Sequence, residues 1–567
     1  MPRVFVAIVL ATSAATAQSP AHFASGSTSA AHTSSLQSAR GALLPVVASS
    51  PDGWTTFQAS ADTRIVYVSS SSGDDANDGL APAQAKRTLA AAKSLLRHGY
   101  PDWMLLRRGD VWYEGLGQWK TSGRSVSEPM LVATYGSATA RPLLLTGASG
   151  GVWTEGGSQS PATIDNLALV GLHLRPAAFS GYGDCVGARM LQPGSHFLIE
   201  DCKFEGFSTN LVFQGFGGIH HDFMLRRSVI VDAFNVHGSG AHPQGLYAYA
   251  VHGLRIEQCV FDHNGWNAAV AGAEPDMFSH NVYIDNDNTG VFVRGNIIAN
   301  AASHGMQLRC GGTVIDNLFV RNSIALSVGG GNNPEPAGVL ANVLGNVILD
   351  GKDIDASNPR GWGVWLANIA QGNVLFNVIA NNTLGKQPAF VTLDGNQVGD
   401  THASVGVHDL SIGLNVIHNW GGSMVVDGNA AQINGVRLFS TDVQDSAYSF
   451  TLLEHIVPNS TLGIDSWSNR FFASHVPVGK WAQLGTTPAP IGVWMAQVGD
   501  SSSVVQQAAY KDPTRSPASY NATLGGAASL DAFLAAARQQ SFTSWNPSYL
   551  AAAVDHYVRI GFLPLGH

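Results

Sequence analysis

The chain has 567 residues, of which 45% are hydrophobic and 13% charged, and it contains 63 glycines. That length exceeds a single compact domain unless the architecture is repetitive. Low charge with abundant glycine favours many short strands and tight turns over long solvated helices. The formal net charge of −9 argues against a nucleic-acid-binding protein, although a local cluster of Arg and His can still bind a polyanion.

The N-terminus predicts a signal peptide at residues 1–17, and therefore a secreted or periplasmic protein. It has one arginine, an apolar run at residues 4–10, and the small-residue cleavage site Ala15-Thr16-Ala17. No later stretch reaches the roughly 20 apolar residues that a membrane-spanning helix needs. Residues 18–60 are rich in Ala, Ser, Thr and Gly, which predicts a flexible leader.

Ordered structure is predicted to begin with a strand at residues 65–69 and a Gly-, Asp- and Asn-rich turn at 73–79. A helical pattern at 88–96 and strands at 103–106 and 109–113 follow. This arrangement resembles the opening segment of right-handed parallel β-helix polysaccharide lyases of the pectate-lyase-like superfamily. The resemblance implies an N-terminal capping helix and the fold superfamily, not a substrate.

A repeat then predicts a parallel β-helix over residues 61–430. Residues 280–285 align with 304–309, and three short strand-like pieces fill each period. Asparagine suits a tight corner, where it tolerates left-handed backbone and its amide can bond along the stack. One residue per coil falls in such a corner column: Cys202, Ser228, Cys259, Asn296, Asn317, Asn346, Asn377 and Asn415. Residues 431–567 are predicted to hold the last coils and a C-terminal cap, with helical pieces at 530–537 and 549–554.

The four cysteines give no clear disulfide. Cys202 and Cys259 occupy equivalent positions two coils apart, roughly 10 Å, which is too far to bridge. They are predicted to be small buried residues. Pairing of Cys185 with Cys310 stays open.

Strand alternation predicts a polar and aromatic outer face beside the Asn corners. Val282 and Ile284 point inward, as do Met306 and Leu308 and also Ile324 and Leu326. Two outward columns result, the first containing Tyr247, Tyr283, Gln307, Ala325 and Trp365, and the second Tyr249, Asp285, Arg309, Ser327 and Ala367. His280 and His304 begin two adjacent strands. Aromatic rings suit sugar rings, and an arginine fork suits a carboxylate.

Exported β-helix proteins with such a face resemble uronate-active polysaccharide lyases and mannuronan-type C5-epimerases. The resemblance implies removal of the C5 proton of a uronate whose carboxylate charge is neutralised. Arg309 is the predicted neutraliser, His304 or His280 the base, and Tyr283 the acid or partner base. Predicted substrate-binding or orienting residues are Tyr247, Tyr249, Asn281, Asp285, Gln307 and Trp365.

Two alternatives remain open: a glycoside hydrolase on the same scaffold, and a non-catalytic glycan-binding or surface protein. A hydrolase needs two carboxylates roughly 5 to 9.5 Å apart. Asp285 with Asp287, Asp262 or Asp276 could serve, but no adjacent coils are expected to offer a clear outward Asp pair.

No cofactor is predicted, and calcium stays open. Glu274, Asp276, Asp285 and Asp287 are close in sequence but lack a loop spacing specific for the ion. No lysine occurs between Lys203 and Lys352, so the lysine base of several calcium-dependent lyases of this fold cannot come from this stretch.

Overall fold

Successive coils of the chain pair in parallel and in register: Val282 and Tyr283 lie opposite Met306 and Gln307, as the repeat predicted. The computed structural model describes residues 49–154, 163–237, 242–382, 384–397, 404–445 and 448–565. All of them belong to the unit Val47–His567. The predicted signal peptide and residues 18–48 of the predicted leader lie outside the described residues.

Each coil contributes strands to three long sheets, which makes the protein a right-handed parallel β-helix, as predicted. Sheet 1 contains Ile65–Val68, Trp103–Arg107, Met130–Tyr135, Leu167–Val170, Ser195–Glu200, His220–Arg226, Val251–His252, Arg255–Glu257, Phe292–Arg294, Gly312–Ile315, Val339–Leu344, Ile369–Leu375, Val407–His408, Leu410–Gly413, Ile433–Asn434, Val436–Phe439 and Ile464–Trp467. Sheet 2 contains Gly117–Gln118, Val152–Trp153, Val186–Met190, Thr209–Gln214, Gln244–Tyr249, His280–Ile284, His304–Leu308, Ile324–Gly329, Trp362–Ala367, Ala389–Asp394, Ser423–Asp427, Leu453–His455, Ala482–Leu484 and Thr487–Ala489. Sheet 3 contains Val111–Trp112, Leu143–Thr146, His173–Pro176, Lys203–Glu205, Val229–Val231, Val260–Asp262, Ile297–Ala299, Leu318–Val320, Val347–Leu349, Val378–Ala380, Val416–His418, Asp442–Asp445, Arg470–Ala473 and Val504–Val505.

Buried asparagine amides are hydrogen-bonded from coil to coil at the corner before sheet 3. The Asn317 side chain donates to Asn346 Oδ1 at 3.0 Å, and Asn346 donates to Asn377 Oδ1 at 3.1 Å. Asn377 in turn donates to Asn415 Oδ1 at 3.0 Å. Each Oδ1 also accepts from the backbone N–H of the preceding asparagine. These bonds satisfy corner groups that water cannot reach.

A short helix covers the first coil. Helix α1 (Leu89–Lys93) begins at Thr88, whose side chain accepts a hydrogen bond from the Ala91 N–H. Leu89 and Ala92 are buried in the apolar core that runs through the solenoid. The predicted N-terminal capping helix is therefore present.

The C-terminal region has two roles, of which the sequence predicted only one. Helix α2 (Ile491–Gln497) buries Ile491 and Trp494 in the core at the far end of the solenoid, as a cap should. Residues 508–562 then turn back along the outside of sheet 3. They form the helices α3 (Pro517–Thr523), α4 (Leu530–Ala537) and α5 (Ala551–Gly561), with 3-10 turns at Phe542–Ser544 and Pro547–Tyr549.

These helices cover a second apolar surface. Phe533 and Val554, both fully buried, share one cluster with outward side chains of sheet 3 such as Ile297 and Val347. The sheet 3 strands from Val229–Val231 to Val378–Ala380 carry apolar side chains on both faces, so an outer layer must cover the second face. Asp555 on α5 is buried there, and neither of its carboxylate oxygens has a hydrogen-bond partner among the described residues. Burial raises its pKa well above the usual value, opposed by Arg559 and reinforced by Asp316.

Residues 49–60, which we expected in the flexible leader, include Trp54, which packs on this outer layer, and Phe57, which packs on outward side chains of sheet 1. Trp54 is buried against Phe542 and Trp545, with ring centroids 5.2 and 5.0 Å away, and Arg227 lies 4.3 Å from its ring. The composition of this segment gave no sign of the tryptophan's distant partners.

The predicted register of one strand was wrong by two residues. Leu326 and Val328 lie opposite Met306 and Leu308, and Ser327 lies opposite Gln307. Ile324, expected to point inward beside Leu326, instead takes the bend position of His304, because the connection before it is short. The first outward column therefore contains Ser327, which we had placed in the second column, and it does not contain Ala325.

All four cysteines are free, including Cys185 and Cys310. Within the described ranges, no helix is both long and apolar enough to cross a membrane.

Candidate functional site

The outer face of sheet 2 carries a row of residues on successive strands. Register places in one column Tyr247, Tyr283, Gln307, Ser327 and Trp365. Four strand spacings separate the ends of this row, or about 19 Å. Tyr247 and Tyr283 are in ring contact at 5.2 Å, whereas Trp365 stands apart from them.

Asp285 connects the tyrosines to the arginine. Its carboxylate accepts from the Tyr247 hydroxyl at 3.2 Å, from Arg309 Nη1 at 3.4 Å and from the Asn286 backbone N–H at 2.9 Å. Tyr249 lies further out and donates to Asp287. Asp285 therefore positions Tyr247 and Arg309 through these hydrogen bonds.

His280 and His304 meet edge to face at the bend where their strands begin. Their rings lie 4.6 Å apart, and the His304 backbone N–H donates to His280 Nδ1 at 3.4 Å. That bond leaves the proton of a neutral His280 on Nε2. Burial lowers the pKa of His304 to about 3, with the positive charges of Arg309 and Arg360 adding to the effect. Burial also lowers the pKa of His280 well below its usual value.

Tyr283 lies between these groups. The Arg309 guanidinium carbon is 4.9 Å from its ring centroid, and the His280 ring is 5.4 Å away. Burial, followed by the negative charge of Asp285, raises the pKa of Tyr283, so the hydroxyl keeps its proton at neutral pH. Two unprotonated imidazoles, a phenol and a guanidinium therefore meet on two neighbouring strands.

Asn281 does not belong to this face. It is completely buried, accepts from the Asn264 side chain at 2.8 Å and donates to the Ala299 carbonyl at 2.7 Å. Strict alternation did not identify its direction, because the chain bends at this point. Asn210 donates to Asn264 in the same way, so Asn281 continues a second row of buried amides.

The sequence analysis missed two outward carboxylates. Asp394 and Asp427 lie directly opposite each other on adjacent strands of sheet 2, contrary to our expectation that no such pair exists. Burial, reinforced by the charge of Asp427, raises the pKa of Asp394. The repeated pattern Leu393-Asp394-Gly395-Asn396 and Val426-Asp427-Gly428-Asn429 was the available signal.

Arg360 was also missed, because it lies on the long connection before the strand Trp362–Ala367 and follows no strand periodicity. Its guanidinium carbon lies 4.6 Å from the Trp362 ring, and Nη2 approaches the Met277 sulfur at 3.7 Å. Among the described residues, no group of three or more His, Cys, Asp or Glu side chains is arranged to hold a metal ion.

The fold and this face define a right-handed parallel β-helix protein with a polar and aromatic surface along one sheet. No family model matches the chain, and no curated protein sequence matches it. Solved structures with a similar fold include a GH136 lacto-N-biosidase from Eubacterium ramulus, with 14% identity, a TM-score of 0.35, and 78% of this chain and 67% of that chain covered. A rhamnogalacturonan lyase has 13% identity and a TM-score of 0.38, with 62% and 82% covered. A mannuronic acid specific polysaccharide family 6 lyase from human gut microbiota has 15% identity and a TM-score of 0.37, with 67% and 85% covered. Similarity at this level concerns the fold and carries no functional argument.

Proposed function

We propose that this protein is an exported carbohydrate-active enzyme that performs β-elimination or C5-epimerisation on a uronate-containing glycan. The observation that carries the proposal is the unprotonated, half-buried His304 close to the positive charge of Arg309, with the protonated Tyr283 beside them. A base, an acid and a carboxylate-binding cation are the groups that this chemistry needs.

Arg309 would bind the uronate carboxylate at C6 and so stabilise the negative charge that develops when C5 loses its proton. Its Nε is buried and has no hydrogen-bond partner among the described residues. Asp285 holds Nη1 and orients the fork.

His304 would accept the C5 proton. Its Nδ1 lies 3.1 Å from the Ser303 hydroxyl, which leaves Nε2 for the substrate. The positive charges of Arg309 and Arg360 help to keep the ring unprotonated. A bound carboxylate would offset them and raise the pKa of His304 towards the range in which a base works best at neutral pH.

Tyr283 would complete either reaction. In elimination the C4–O bond breaks, a C4=C5 double bond forms, and Tyr283 gives its proton to the leaving oxygen. In epimerisation Tyr283 instead returns a proton to the opposite face of C5. Tyr247 supplies a second ring for stacking against a sugar.

Incubation with a panel of uronate polymers tests the proposal. Elimination gives the ultraviolet absorbance of an unsaturated uronate. Epimerisation in deuterated water incorporates deuterium at C5 without that absorbance. Neither signal with any polymer would contradict the proposal.

A glycoside hydrolase is the second candidate, and the Asp394–Asp427 pair favours it. Strand neighbours in register stand about 4.8 Å apart, close to the carboxyl separation of retaining enzymes. The raised pKa of Asp394 suits a general acid, while Asp427 would be the nucleophile. New reducing ends without ultraviolet absorbance, lost in Asp394→Asn, would support this reading. Glycan binding without either product would favour a non-catalytic protein.

A further inference from the structure

Arg360 presents a positive charge that the protein itself does not neutralise. Its side chain pairs with no carboxylate in the described part of the chain; it donates to the Pro359 carbonyl at 2.8 Å and approaches the Met277 sulfur. The neighbouring Asp353 is engaged elsewhere, since it accepts from the Arg360 backbone N–H and lies 3.6 Å from Lys386 Nζ. Arg309, in contrast, is paired with Asp285.

The position of Arg360 is set by contacts on two different coils. The Arg360 guanidinium packs on the Trp362 ring. Its Nη2 contacts the sulfur of Met277, which lies just before the strand that begins with His280. The strand that begins with His304 lies between the strands of these two contacts in sheet 2. The guanidinium therefore lies near the sheet edge that carries the two histidines, and its positive charge acts on His304.

Unpartnered polar atoms mark the same region. Arg360 Nε is buried without a hydrogen-bond partner among the described residues, as are Ser279 Oγ next to His280 and Ser327 Oγ in the outward column. Ser327 is 1% exposed although its strand position faces outward, because neighbouring groups cover it. Each of these atoms lacks the hydrogen bond that a buried polar group normally makes.

We propose that Arg360 binds a second anionic group of the substrate, on a sugar next to the one whose carboxylate Arg309 binds. The preferred glycan then carries negative charges on consecutive sugars rather than a uronate isolated between neutral ones. The inference rests on the proposed function for the role of Arg309. The second group is a carboxylate or a sulfate, since an arginine fork binds both.

Calorimetric titration in a His304→Gln background, which prevents turnover, tests this specificity. The probes are a short homopolymeric uronate oligomer, an oligomer in which uronates alternate with neutral sugars, and the alternating oligomer with sulfate on the neutral sugar. We expect the homopolymer to bind about tenfold to a hundredfold more tightly than the alternating oligomer, from one additional charged hydrogen bond.

Arg360→Gln should abolish that preference, and Arg360→Lys should keep part of it. Arg437→Gln is the matched control, because Arg437 is a half-exposed arginine on sheet 1 and should change nothing. If only the sulfated oligomer gains affinity through Arg360, the second group is a sulfate. Equal losses for all three oligomers in Arg360→Gln, or no loss, would overturn the inference.

Turnover by the wild-type protein separates the two proposals. An Arg360-dependent preference without any uronate product would remove the proposed reaction and keep the second anion site. Formation of a uronate product without an Arg360-dependent preference would keep the proposed reaction and remove the second anion site.

Discussion

Replacing Asn346 by alanine tests the corner amides that hold the coils in register. Asn346 is completely buried and makes four hydrogen bonds through its side chain. It accepts from the Asn317 backbone N–H and side chain, both at 3.0 Å, and donates to the Val314 carbonyl at 3.0 Å and to Asn377 Oδ1 at 3.1 Å. Alanine leaves the Asn317 backbone N–H without its Asn346 acceptor.

The expected loss of stability follows from these contacts. One orphaned buried donor costs about 1 to 3 kcal/mol, and three further lost bonds cost about 0.5 to 1.5 kcal/mol each. We therefore expect Asn346→Ala to lower the free energy of unfolding by about 2.5 to 7.5 kcal/mol. Asn346→Asp should lower it further, because a carboxylate would face the Val314 carbonyl and Asn377 Oδ1.

Asn373→Ala is the matched control. Asn373 lies on the outer face of sheet 1, half-buried, and its side chain donates to Asn342 Oδ1 at 3.0 Å. Water can replace that bond, so the loss should stay under about 1 kcal/mol. Urea unfolding followed by tryptophan fluorescence measures both variants, with the slope checked because a solenoid can unfold in steps. Equal midpoints for Asn346→Ala and Asn373→Ala would refute the reasoning.

Three further predictions concern the site and the outer layer. His304→Gln should lower kcat on the active uronate polymer by about 100-fold or more, and Arg309→Lys should lower kcat/KM by about tenfold. The thermal midpoints of both variants should stay unchanged. Full activity in either variant would remove the site assignment. The folded-state pKa of Asp555 is raised, so its contribution to stability is complete at low pH and is lost as pH rises above the unfolded value. Asp555→Asn should therefore stabilise the protein at pH 8 but not at pH 4, and parallel urea curves that keep the wild-type pH dependence would contradict this. Gly330 has a positive φ of 68°, and Gly330→Ala would place a methyl group 2.7 Å from the Trp365 ring. Gly217 has a similar φ of 81°, but a methyl group there would point into open space. Gly330→Ala should thus lose more thermal stability than Gly217→Ala and raise KM, and equal effects would show that only backbone strain matters.

The placement of the candidate site residues was predictable wherever one coil repeats the next. Tyr247, Tyr283, Asp285 and Arg309 came together because alternation along a strand and register between strands are both periodic. Prediction failed at bends, where Asn281 turned into the core, because alternation holds only within an extended strand.

The positions of loops and distant segments could not be predicted from the sequence for a different reason. Arg360 lies on a connection whose path depends on the residues that the connection packs against. No repeat in the sequence encodes that path. Register likewise decided that Asp394 and Asp427 are neighbours, since the length of the connection between their strands is irregular.

The sequence by itself determined the coil: its apolar alternation and corner asparagines specify short parallel strands around one core, because these are local patterns repeated along the chain. Only the tertiary structure decided what covers that coil. The return of the C-terminal helices over sheet 3, the packing of Trp54 on them and the placement of Arg360 over the histidine strand all depend on contacts between residues far apart in the chain. Such contacts are selected by the apolar or charged surface left exposed after the solenoid has formed, which no local pattern records.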